Sequence, residues 1–217
     1  MLFGTRMRLR VPFLLLSVAV GGVLLWILGS VRRDTPQPAP YWSRQIEALG
    51  RLGSYKHAAA AEYAHYAEAA EAEHATGAAK LFHALAHSEQ IHESNCAEAV
   101  RRLGGRYAPP VRIVVFRRTT GDNLARALEK ERGNYDRYRT GAIDSALSAG
   151  NRYAARIMIR IAAGDMRQAE LLERFIARPD EGGYTVCPDC GNVCTARHCD
   201  HYCPLCQAHE ERYFRYD

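Results

Sequence analysis

The amino-acid sequence predicts a mainly α-helical protein: a four-helix bundle with a long connection between its second and third helices, then a small β ribbon built on cysteines, with an apolar helix ahead of both. Three observations carry this. Between Ser54 and Arg178 the chain is rich in Ala, Glu, Arg and Leu, and glycines at Gly77, Gly104-Gly105, Gly121 and Gly150 cut it into four stretches of helical length. Acidic residues recur on the helical faces that should be apolar. Six of the seven cysteines lie between Cys187 and Cys206, a crowding that reads as a local metal site rather than a disulfide framework.

The first element is the apolar run from Val11 to Val31, 21 residues without a charge, flanked by Arg6, Arg8 and Arg10 and by Arg32 and Arg33. A helix needs roughly 20 apolar residues to cross the hydrocarbon, and a cleaved signal peptide has a shorter core, so residues 1–33 are expected to be a tail and a single membrane anchor. Three arginines before the run and two after lean towards an extracytoplasmic position for the bulk of the chain. Pro36, Pro38 and Pro40 stiffen a linker expected over 34–53. A net charge of +5, with no dense basic run interleaved with aromatics, argues against nucleic acid as a partner.

Helices are expected near 54–76, 78–103, 122–149 and 151–178, making 54–178 the bundle domain. The second and third are joined by about 18 residues that include Pro109-Pro110 and the β-prone run Val111 to Phe116. An up-down bundle has short connections; a crossover of this length is the mark of a ferritin-like bundle.

Residues spaced alternately three and four apart share one helix face. The second helix reads Phe82, Leu85, Glu89, His92, Cys96, Ala99, Leu103 along that face, and the first reads Tyr55, Ala59, Glu62, Tyr66, Ala69. The third reads Leu124, Leu128, Glu131, Tyr135, Tyr138, and the fourth Ile157, Ile161, Asp165, Gln168, Leu172, Phe175. Each helix places one acid in its apolar seam. An unpaired carboxylate in a core is strongly unfavourable, so four at one level point to bound cations, and oxygen ligands with an imidazole suit iron or manganese. The bland reading of Glu89-x-x-His92 alone is chance in a Glu-rich helix.

The stretch Leu81-Phe82-His83-Ala84-Leu85-Ala86-His87-Ser88-Glu89-Gln90-Ile91-His92-Glu93 resembles the second helix of rubrerythrins, and Gly121-Asp122-Asn123-Leu124 with Glu131-Arg132-Gly133-Asn134-Tyr135 is similar to the family's third helix. From Glu131 to Phe175 the resemblance runs without a gap, with Gly150 at the turn between the family's third and fourth helices. It departs at three ligand positions: the family's Glu-x-x-Glu is here Glu131-x-x-Asn134, and its Glu-x-x-His is Asp165-x-x-Gln168. Asp is one methylene shorter, and neutral amides are poorer partners for a hard cation. Glu62 and Glu89 are also closer in sequence than the family pattern leads one to expect. The bundle is therefore expected to bind one metal through Glu62, Glu89, His92 and Glu131, with a second, involving Asp165, weak or absent.

Cys187-Pro-Asp-Cys190-Gly and Cys203-Pro-Leu-Cys206 are paired Cys-x-x-Cys knuckles twelve residues apart, which present four thiolates to iron or zinc. Tyr184 before them and Tyr213-Phe214 after are similar to the rubredoxin-like end of rubrerythrins, which favours iron; the expected domain is 184–217. Cys194, His198, Cys199 and His201 fall outside that pattern and leave open a second metal site, a disulfide or a plain loop. Cys96 reads as a small buried hydrophobe.

The resemblance implies a non-haem iron oxidoreductase that reduces hydrogen peroxide, with dioxygen as the other candidate oxidant. Electrons from an unknown donor would pass through the sulfur site to a mononuclear or diiron bundle site. Glu89, His92, Glu131 and Tyr135 are its implied catalytic residues, with Tyr66 a second hydrogen-bond donor, and a homodimer faces each ribbon to the other chain's bundle. The rivals are a non-catalytic electron relay with a degenerate bundle, and a membrane adaptor with a structural zinc ribbon.

Overall fold

The computed structural model describes residues 41–116, 118–139, 141–179 and 182–217, with backbone alone at 135–139. The anchor expected over 1–33 and the proline spacer lie outside these residues; among the described residues no helix is long and apolar enough to cross a membrane.

Among the described residues there are five α-helices: α1 Ser43–Ala72, α2 Thr76–Arg102, α3 Thr120–Arg139, α4 Ala142–Ser148 and α5 Arg152–Ala177. They stop where backbone chemistry stops them. After α2, Gly104 takes φ +85°, and its amide and that of Gly105 bond back to the Arg101 and Val100 carbonyls, closing the helix with a left-handed glycine. Gly150 does the same after α4 at φ +75°, so the expected turn at this glycine is present. Asn151 then opens α5 by accepting from the Ala154 amide at 3.0 Å.

Two expectations are corrected. The first helix begins at Ser43, well inside the expected 34–53 linker, because Leu49 and Leu52 are core residues and the glycines at 50 and 53 do not break it. Gly53 is wanted there: a Cβ would lie 2.9 Å from the Tyr107 ring. The third helical stretch is also not continuous, since α3 ends at Arg139 and α4 restarts at Ala142 after Gly141. The crossover over 103–119 forms no strand among its described residues, and Val111, Val114 and Phe116 are exposed.

Helix α1 packs along α2, and α3 along α5, with α4 lying on α5. Their buried side chains form two apolar clusters. One holds Ala59, Tyr63, Phe82, Leu85, Ala127, Leu172 and neighbours; the other holds Leu49, Leu52, Cys96, Val100, Met158 and Ile161. Between them, at the same height on each helix, lies a polar layer.

The tail is a three-stranded antiparallel sheet of order β2-β1-β3, with β1 Tyr184–Val186, β2 Val193–Thr195 and β3 Phe214–Tyr216. Tyr184, Val186 and Val193 join the bundle's own apolar cluster. Each fully buried valine contributes about 1.5–3 kcal/mol to holding tail and bundle together.

Candidate metal centres

The tail brings Cys187, Cys190, Cys203 and Cys206 together so that their sulfurs all lie within 4.8 Å of one another. Cys187 and Cys206 are 3.4 Å apart, and Cys190 and Cys203 3.5 Å. The two knuckles share one backbone plan: the Gly191 amide returns to the Cys187 carbonyl at 3.0 Å, and the Gln207 amide to the Cys203 carbonyl at 2.8 Å. Both residues have positive φ, +78° and +70°. Gln207 tolerates this at the surface; Gly191 is buried and has no room for a side chain. The thiols perturb one another, Cys203 being pulled down by bonds from Cys187 and Cys190, and Cys190 pushed up by its bonds to Cys187 and Cys203 and by burial. An all-sulfur tetrahedral donor set fits iron or zinc.

Cys194 and Cys199 form a separate pair, sulfurs 2.6 Å apart, with the Thr185 hydroxyl at 3.2 and 3.4 Å from them. His201 turns away to Glu210, and His198 is exposed, so a second metal site from these residues does not assemble among the described residues.

The polar layer of the bundle contains Glu89, His92, Glu131, Asn134, Asp165 and Gln168, all fully buried, as the helical seams of α2, α3 and α5 lead one to expect. Glu89, His92 and Asp165 each turn a ligand atom to within 4.8 Å of the others and could hold one ion. The residue that α1 contributes is a surprise. It is Lys56, with no exposed surface, whose ammonium donates to Asp165 Oδ1 at 2.6 Å and to Glu89 Oε1 at 3.1 Å, with Glu89 Oε2 at 2.9 Å. Burial would raise Glu89, but Lys56, with help from His92, holds its carboxyl down at about 2. Burial keeps Asp165 well above the usual carboxylate range, against the pull of Lys56, and raises Glu131 likewise. His92 is lowered by burial, opposed by Glu89 and the Cys190 backbone.

Glu62 is not in this layer. It lies at the rim, accepting from Tyr66 at 2.6 Å, Lys130 at 2.6 Å and Arg126 at 3.1 Å. The buried stripe of α1 runs Leu49, Leu52, Lys56, Ala59, Tyr63, one residue out of step with the expected one at its centre, so the expected ligand Glu62 and donor Tyr66 pair with each other instead. The phenol that reaches the layer is Tyr63, which donates to Glu131; Asn134 Nδ2 donates to the other oxygen at 3.0 Å. The side chain of Tyr135 lies outside the described residues. The spacing Leu49, Leu52, Lys56, Ala59, Tyr63 was readable in sequence, but a lysine is the residue a core stripe least invites.

His92 joins the two centres. A Cβ on Gly164 of α5 would sit 2.9 Å from His92 Nε2, and one on Gly191 of the tail 2.8 Å from the same atom. The imidazole thus fills a slot that two glycines keep open, directly under the Cys190-Gly191 knuckle. Ser88 donates to the Gly191 carbonyl at 2.5 Å and Asn95 to the Asp189 carbonyl at 3.0 Å, seating the knuckle on α2. Ribbon and bundle meet within one chain, whereas the resemblance implies a meeting across a dimer.

Bundle and sulfur ribbon together have a rubrerythrin-type fold: a ferritin-like bundle followed by a rubredoxin-like tail. Among solved structures the chain is similar to nigerythrin in its fully reduced, all-ferrous state, with TM-score 0.73, 23% identity, and 86% of this chain and 91% of that one covered. The bundle is similar to the diiron bacterioferritin of Desulfovibrio desulfuricans, with TM-score 0.56, 18% identity and 64% of this chain against 83% of that one. It is also similar to an open-pore ferritin of Archaeoglobus fulgidus, with TM-score 0.55, 14% identity and 62% against 83%. At these identities the likeness is one of fold. No protein-family model and no curated protein matches the sequence.

The sulfur site fits the metal that this fold implies for it. The bundle does not fit a metal pair: Lys56 stands among the carboxylates, Glu62 is held at the rim, and Asn134 and Gln168 point donors, not lone pairs, at Glu131 and Glu89.

Proposed function

We propose that the protein is an iron-binding electron carrier of rubrerythrin-type fold, in which Cys187, Cys190, Cys203 and Cys206 hold the working iron and the bundle is its mount. Iron held by four thiolates supplies a reversible one-electron couple. The observation that carries this reading is the four-sulfur cluster, seated through Cys190 and Gly191 on His92. Tyr213, buried beside the cysteines, and the tail's share of the bundle core keep water from two sides of the site. Ser88 and Asn95 bond the knuckle carbonyls, which would restrain the sulfur cage when iron held there changes oxidation state. The apolar run Val11 to Val31 would tether the carrier to a membrane, facing outwards, and a homodimer would pair two such carriers.

Absorption of the purified protein tests this. Ferric tetrathiolate bands that bleach with a reductant and return with an oxidant support the carrier; a colourless protein with one zinc per chain leaves a structural ribbon in its place.

Peroxide reduction is the second reading, favoured by the carboxylate layer lying beneath the sulfur site. If it holds, peroxide re-oxidises the reduced tail iron faster in the wild-type chain than in Glu89→Ala. Equal rates leave the carrier alone.

A further inference from the structure

We infer that the Lys56 ammonium is the resident cation of the bundle, standing where this fold would hold metal, and that the bundle takes up iron only when that lysine is replaced. The geometry carries it in four parts. First, Lys56 is the α1 residue that faces Glu89 and His92 of α2 and Asp165 of α5. Second, of the three groups able to hold an ion, Glu89 and Asp165 already bind its Nζ at 2.6–3.1 Å, so a metal and the ammonium would compete for the same oxygens.

Third, none of Lys56, Glu89 and Asp165 has exposed side-chain surface, so the lysine cannot swing to water when a metal arrives without dragging a charge through the apolar clusters on either side. Fourth, the amides fit an ammonium-centred network. Gln168 Nε2 donates to Ser88 Oγ and Glu89 Oε1, both at 2.9 Å, and Asn134 Nδ2 donates to Glu131. The inference does not depend on which metal the tail carries.

The test counts metal in the whole chain. Wild-type protein, Lys56→Glu and Lys56→Gln are incubated anaerobically with excess ferrous iron and desalted; iron and zinc per chain are then measured beside the sulfur-to-iron absorption and helical circular dichroism. The wild-type chain is expected to hold one metal ion, assigned to the cysteines because Cys187→Ser/Cys190→Ser loses it. Lys56→Glu is expected to gain at least one iron that adds no sulfur-ligated absorption, and to melt at higher temperature with iron than without. Lys56→Gln, which keeps length but not charge, is expected to gain iron more weakly. Iron in the wild-type chain beyond the cysteine site overturns the inference, as does a folded Lys56→Glu and Lys56→Gln pair that gains none. Should neither variant fold, the wild-type count alone decides.

Discussion

Lys56, Glu89 and Asp165 support one another, and removing one strands the rest. Lys56→Met, in protein with its bundle free of added metal, is expected to lose about 3–5 kcal/mol of stability, the usual result of breaking a buried pair from one side, read as a fall in urea midpoint. Glu62 should behave differently. Burial would raise its carboxyl, but Lys130, with bonds from Tyr66 and Arg126, holds it below its usual 4.5, so its contribution is present at neutral pH and fades as pH falls through that range. Glu62→Gln is therefore expected to cost about 1 kcal/mol or less at neutral pH, to cost progressively less as pH falls below the usual carboxylate range, and to leave metal content unchanged. A loss of metal on that substitution would return Glu62 to the site. At Gly191 the constraint is room: φ is +78° and a Cβ would sit 2.8 Å from two His92 ring atoms. Gly191→Ala is expected to keep the metal but slow electron exchange with the sulfur site, measured by stopped-flow oxidation of the reduced protein.

At the scale of elements, the helices are set by caps and the tail by its knuckles. Asn151 is the side-chain cap of α5, and Asn151→Ala should cost about 1 kcal/mol without touching either centre. Strand β2 and the turn after it bring Cys194 and Cys199 into contact, separate from the cluster of Cys187, Cys190, Cys203 and Cys206. An air-exposed sample is expected to yield these two as a linked pair in unreduced peptide maps, each thiol losing one hydrogen to dioxygen; both alkylating freely would refute it. The seam of α1 shows why element-level reading slipped. In an alanine-rich helix two neighbouring stripes look equally apolar, and only the facing helices choose between Glu62 and Lys56.

For the whole molecule, the tail is not an appendage. Tyr184, Val186 and Val193 complete the bundle's apolar cluster, and His87 bonds the Tyr216 hydroxyl at 2.6 Å. Metal bound at the four cysteines would thus stabilise more than the tail, because binding free energy there is folding free energy for strands that the bundle also uses.

The sequence by itself determined the class of fold, because crossover length, glycine stops and paired Cys-x-x-Cys knuckles act locally and leave few topologies open. It also placed Glu89, His92, Glu131 and Asp165 in one interior, since helical period decides which face is buried. What it left to the tertiary structure was the sign of that interior. Whether these buried acids meet a metal or an ammonium depends on the rotation of α1 by a fraction of a turn, and on a ribbon folding back over His92. Both are decided by packing between segments far apart in the chain, which periodicity within a single helix does not encode.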